Sequence, residues 1–258
     1  MSVAFGAALF ASEVGAEIPD AARQAQVVVL GEQHDNPDHH ARQAAWVADI
    51  QPAALVFEML TPPQAANAAF DWTDQAELDA AVGWSDSAWP SFDMYFPIFA
   101  AAPDATIFGA GVLRETLREK LQDPIAEQPE AARFGLDQPA DPEEQAAREA
   151  LQAIAHCGAL PEDVLPMMVD AQRIRDMALA DAALRALAQT GGPVVVITGN
   201  GHARTDWGMP ALMQVAAPEV TVFSLGQGED GNTVNGGFSL TLDAPAPARG
   251  DPCAAFTQ

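Results

Sequence analysis

The chain holds 258 residues, 49% of them hydrophobic, with 36 acidic against 12 basic side chains and a formal net charge of −24 at pH 7. That length and apolar content suffice for one α/β domain spanning residues 1–258. The negative field excludes nucleic acid and anionic membrane surfaces, which need clustered Lys and Arg. A cation, a metal or an amphipathic small molecule fits it better.

Residues 1–16 form an apolar run of signal-peptide length that ends in Val-Gly-Ala but has no Lys or Arg before it. Residues 1–24 therefore read as a signal remnant or N-terminal extension, or else as the first element of the domain. No apolar run reaches the roughly 18 residues of a spanning helix, so no membrane span is expected. Five short apolar runs follow: QVVVL ending at Leu30, AALVFEM at Met59, ATIFG at Gly109, PVVVITG at Gly199 and EVTVFSLG at Gly226. They lack alternation, as strands buried on both faces do. With helical stretches between them, they predict a three-layer α/β/α fold. Its central sheet is mainly parallel, with helical insertions at the strand C-terminal edge.

The first crossover helix has Asn36 to cap it and Pro37 at its first position, with Ala41, Ala44, Ala45 and Ala48 as a small-residue face toward the sheet. Residues 61–103 form an aromatic, mostly helical insertion. Further helices are expected over residues 143–156 and 162–189, and residues 244–258 form a Pro-rich tail. Cys157 and Cys253 either form a disulfide that ties this tail to the body, pointing to an oxidising compartment, or remain separate thiols.

In a parallel sheet the residues just after each strand collect along one edge, where ligands bind. That rule gathers Glu32 and His34, Glu58, Arg114, and His202 with Arg204. Both histidines stand three residues after a strand-end glycine, Gly31 or Gly199, each expected to free the backbone for a sharp turn. His34, Glu58 and His202 make a plausible first shell for a divalent metal such as zinc or manganese. Glu32 or Glu58 then serves as general base, with Arg114 beside them. The same set without metal binds through charge and hydrogen bonds. His39 and His40, in the first helical turn, should be neutral, with at least one exposed. The dinucleotide fingerprint, the phosphate-cradling loop and G-x-S-x-G are absent.

LGEQHDNPDHH, LVFEM, AQRIRDMALA and TGNGHAR with GMP resemble the ChaN group of haem-binding uptake proteins, within the superfamily of Tiki proteases, TraB and erythromycin-esterase-like enzymes. The resemblance runs from about Gln26 to Gly208. It implies haem as cofactor, a homodimer sharing stacked haems, and iron uptake at the periplasm or cell envelope. By position, the resemblance implies that His34, Glu58 and His202 take the superfamily's shared site and Arg114 is the basic residue that accompanies them. Tyr95 resembles the aromatic insertion of haem-binding members, where a tyrosinate can hold ferric iron, although the same aromatics suit ordinary helix packing. A site histidine is the other axial candidate, with Arg114 or Arg204 near the propionates. Residues 1–16 lack the cysteine of a lipoprotein, so lipid anchoring is not expected. The rival readings are a hydrolase, metal-dependent or not, acting on an ester or peptide bond, and a scaffold whose charged cluster only ties loops together.

Overall fold

The computed structural model describes residues 17–68 and 74–256, so the apolar run of residues 1–16 lies outside the described residues. In chain order the elements are α1 (Asp20–Gln24), β1 (Val27–Glu32), α2 (Pro37–Ile50), β2 (Ala54–Phe57), α3 (Pro62–Ala66), α4 (Gln75–Val82), α5 (Phe92–Ala101), β3 (Thr106–Gly109) and α6 (Arg114–Lys120). They continue with α7 (Pro142–Ala155), α8 (Leu165–Thr190), β4 (Val194–Gly199), α9 (Met209–Ala216), β5 (Val222–Glu229) and β6 (Leu240–Ala244).

The strands form one sheet in the order β3-β2-β4-β1-β5-β6, every adjacent pair parallel. Alternate residues of the central strands face opposite layers. Val28, Leu30, Leu55, Phe57, Val195 and Ile197 pack with Trp46 of α2 and Phe99 of α5, while Val27, Val29, Val56 and Val196 pack with Ile174 and Leu179 of α8 and Met213 of α9. Helices on both faces of a parallel sheet give the expected three-layer α/β/α architecture. Ile18 and Ala22 belong to the first of these cores. The described part of the expected 1–24 extension is thus packed into the body.

Asn36 caps α2 as its position predicts, accepting from the Asp38 and His39 amides. The buried face of that helix corrects the alanine expectation. Ala41, Ala45 and Ala48 are exposed, and His39, His40, Arg42, Gln43, Trp46 and Val47 are buried. Trp46 and Val47 remove far more apolar surface from water than alanines can. The polar four are admitted because the sheet offers partners: Arg42 donates to Gln227 Oε1 at 2.6 Å and Gln43 to the Leu30 carbonyl at 3.1 Å.

Strand β6 is absent from the sequence expectation, which treated residues from 244 onward as tail. It is a half-exposed edge strand, visible only as the short alternation of Leu240 and Leu242. The tail beyond it is held twice. Arg249 forks onto Asp35 and Glu229 at 2.6–2.7 Å, and Cys253 is bonded to Cys157 with the two Cα atoms 5.6 Å apart.

Closing so long a loop restricts the unfolded chain, so Cys253→Ser should lower the unfolding free energy by about 2–4 kcal/mol. Urea denaturation followed by tryptophan fluorescence checks this, and a midpoint unchanged from that of the oxidised protein would contradict it.

Candidate functional site

Strands β1 and β4 are neighbours, and the chain leaves them in opposite directions, toward β2 from one and toward β5 from the other. A crevice forms where connections diverge in this way. Glu32 ends β1 in register with Gly199 at the end of β4, and Glu58 directly follows β2 on the far side of β4. His34 and His202 therefore enter one crevice with Glu58.

The glycines do not act by turning the chain. Gly31 and Gly199 lie inside strands and neither has a positive φ. What requires them is close approach: a Cβ on Gly31 would stand 2.6 Å from Asn200 Oδ1, and one on Gly199 would stand 3.1 Å from His34 Nε2.

Glu32 is fully buried and both its oxygens are engaged. Oε1 accepts from the Tyr95 hydroxyl at 2.6 Å and from His34 Nδ1 at 2.8 Å; Oε2 accepts from Gln43 Nε2 at 2.8 Å and faces His40 Nδ1 at 3.4 Å. The sequence reading of Glu32 as a general base meets a carboxylate whose observed bonds orient its neighbours. Glu32 fixes the His34 ring, which meets Trp89 edge-on at 4.9 Å, and leaves Nε2 without a hydrogen-bond partner among the described residues. Burial works against a proton on His34, but the bond to Glu32 and the charges of Glu58 and Glu32 outweigh it and raise the pKa.

Asp176 of α8 performs the same service for His202, whose Nδ1 donates to Oδ1 at 2.6 Å while Nε2 faces Glu58 Oε1 at 3.6 Å. Glu58 Oε2 accepts from Thr198 Oγ1 at 2.7 Å and from the Gly199 amide at 2.8 Å. Burial opposes charge on both groups, yet their attraction and the help of Asp176 prevail. The His202 pKa is pushed up to about 9 and the Glu58 carboxyl is held below its ordinary range. At neutral pH the pair is an imidazolium beside a carboxylate. Among the described residues no group of three or more His, Cys, Asp or Glu side chains is placed to hold an ion.

Tyr95 departs from its expected role. It is fully buried in the core against Trp84, with ring centroids 4.4 Å apart, and does not line the cavity. Burial first, then the Glu32 charge and hydrogen bond, push its pKa up, so the phenol stays protonated. Arg204 is likewise committed: it forks onto Asp206 at 2.8 and 2.6 Å and stacks on the Trp207 ring at 3.5 Å. That leaves it poorly placed to meet a propionate. Arg114 stands exposed on the rim as the first residue of α6. His39 and His40 are both buried, against the expectation of an exposed one. His39 Nδ1 accepts from the Gln33 amide and Nε2 meets the Gly228 carbonyl, while His40 Nε2 meets the His34 carbonyl. They shape the β1 loop from beneath.

The crevice opens into a cavity of about 1250 Å³. Its apolar lining includes Trp89, Val112, Leu113, Leu151, Ile154 and Met168; its polar lining includes His34, Glu58, His202, Gln172, Arg175 and Asp176. Sequence reasoning missed the structural part played by the last two. Gln172, Arg175 and Asp176 lie at helical spacings of three and four within α8 and so form one polar stripe along it. That stripe was the available signal, and it lacked only the knowledge of which face meets the sheet edge.

His202 binds its proton more tightly folded than unfolded, where its pKa is about 6.5. Its stabilising contribution is therefore complete below about pH 6.5 and lost as pH rises through about 9. Thermal unfolding across that window should show the wild type losing stability more steeply than His202→Gln; equal slopes would contradict the assignment. Tyr95→Phe should cost about 1.5–3 kcal/mol by denaturant titration, since it removes a buried bond to a charged carboxylate.

The family model described as haem-binding uptake, Tiki superfamily, ChaN matches residues 18–213. No curated protein matches the chain. Among solved structures, one of cofacial haem binding to ChaN of Campylobacter jejuni superposes with a TM-score of 0.59 at 19% identity, covering 80% of this chain and 82% of that one. The type III effector HopBA1 aligns at a TM-score of 0.47 and 13% identity, over 88% of this chain and 90% of that one. An erythromycin esterase in its open conformation aligns at 0.44 and 12% identity, over 83% and 72%. At 19% identity the first likeness shows a shared fold. The sequence match over well more than half its length places the chain in the ChaN haem-binding uptake family of the Tiki superfamily.

Proposed function

We propose that this chain binds haem in the cavity at the β1/β4 crevice and serves iron uptake at the cell envelope. The observation that carries the reading is the cavity itself. At about 1250 Å³ it exceeds the roughly 300–1,000 Å³ common for small-molecule sites. It combines an apolar wall fit for a flat macrocycle with an imidazole held ready. His34 is the residue that would hold the iron. A carboxylate on Nδ1 is the usual outer partner of a ligating histidine, and Nε2 remains for the metal. Haem, when bound, supplies the iron coordination position; the chain orients the ring, shields it and moves one proton. Since His34 favours its proton, iron must displace it, and affinity should fall as pH falls. Arg114 on the rim would meet the propionates, and the His202 imidazolium would stay in place as fixed charge.

The Cys157–Cys253 disulfide suits an oxidising compartment such as the periplasm. Leu113 and Ile154, 58% and 73% exposed at the cavity lining, would be covered if two chains met mouth to mouth around their ligands.

A hydrolase remains the second reading, favoured by the two imidazoles, each oriented by its own carboxylate with Glu58 alongside, a proton-handling set that needs no metal. Absence of turnover on ester and peptide panels would remove it.

Haemin titration tests the main proposal. The wild type should give a saturable, shifted Soret band, His34→Ala should weaken binding by about tenfold or more, and Tyr95→Phe should leave the band in place. Spectra of free haemin at every ratio would end the proposal.

A further inference from the structure

A second, smaller pocket of about 240 Å³ lies among α7, α8, α9 and the segment 134–141, separate from the haem proposal although Arg148, Asp176 and Trp207 border both spaces. Two guanidinium groups line it. Arg148 is occupied: Nε donates to Glu144 at 2.7 Å and Nη2 to the Trp207 carbonyl at 2.8 Å. Arg173 is not. It is 8% exposed and, among the described residues, its Nε is buried without a hydrogen-bond partner and the nearest carboxylate oxygen, on Asp170, is 3.8 Å from Nη1.

The other acids around the pocket make their hydrogen bonds elsewhere, although the charges of Glu144 and Asp176 reach Arg173 at longer range. Asp141 caps α7 through the Glu143 and Glu144 amides, Glu144 pairs with Arg148, Asp176 with His202, and Asp206 with Arg204. Asp170, at 3.8 Å, stands beyond hydrogen-bond reach of the guanidinium. A buried cation with unused donors is costly unless something answers it. A guanidinium fork answers best to a planar or tetrahedral oxyanion.

We infer that this pocket is a binding site for a small oxyanion, a carboxylate or a phosphate, gripped by the unused donors of Arg173 with Arg148 lending its charge. The pocket volume admits an ion of that size and leaves no room for a macrocycle. Occupation would place a negative charge near Asp176, the group that orients His202, so the two spaces would sense each other electrostatically.

Calorimetric titration of the unliganded protein in chloride-free buffer, with inorganic phosphate in one arm and succinate in the other, tests this and distinguishes the two anion types. At least one should bind once per chain and raise the melting temperature. Arg173→Gln should weaken that binding by about tenfold or more, as expected for loss of charged hydrogen bonds, and abolish the thermal shift. Arg185→Gln, exposed on the same helix, should bind as the wild type does. Arg173→Lys keeps the charge without the fork and should also bind more weakly, which keeps the test decisive if the Gln variant fails to fold. No binding of either anion, or equal affinity in wild type and Arg173 variants, overturns the inference.

Discussion

A carboxylate at the end of a buried strand persists as an anion only if its charge is answered where it stands. Glu58 sits at such a point, and its answers are local: a hydroxyl from Thr198, an amide from Gly199 and the imidazolium of His202. Much of the site follows from that need. His202 must stay protonated, which requires Asp176 behind it, which fixes the face that α8 turns to the sheet edge. Glu32 repeats the logic on β1 with His34, so the crevice is flanked by two carboxylate-bound imidazoles in matched orientation.

The sequence made the layers, the first five strands and the sheet edge legible, because uninterrupted apolar runs and polar strand ends are signals carried by neighbouring residues. It was silent where partners come from distant segments. Tyr95 was a candidate for iron by resemblance to the aromatic insertion of haem-binding members, but the same aromatics are what a core needs, and Glu32 accepts from the hydroxyl. Arg204 looked free until Asp206 and Trp207 came within reach. The glycines were recognised at the right positions for the wrong reason, since crowding across strands leaves no trace in local sequence. Asp176 and Arg175 were in view as a motif yet had no direction until α8 was docked.

Trp207 links the polar side of the crevice to the helical layer beyond it. Its ring is faced by Arg204 at 3.5 Å and by Arg148 at 5.0 Å, a cation on each of two contacts. Arg148 also reaches toward Asp176 at 4.0 Å. Rearrangement of either guanidinium would therefore be felt by the histidine machinery through packing as well as charge.

The outermost strand has an outcome for the life of the protein in concentrated solution. β6 runs for only five residues, carries the polar side chain Asp243, and gives way at once to Pro245 and Pro247, which have no amide hydrogen to donate. An unpaired sheet margin ordinarily invites another polypeptide to add itself and start a fibril. Here the margin is too brief and too interrupted to serve as a template, so the same tail that the disulfide fastens also guards this side of the sheet against runaway self-association.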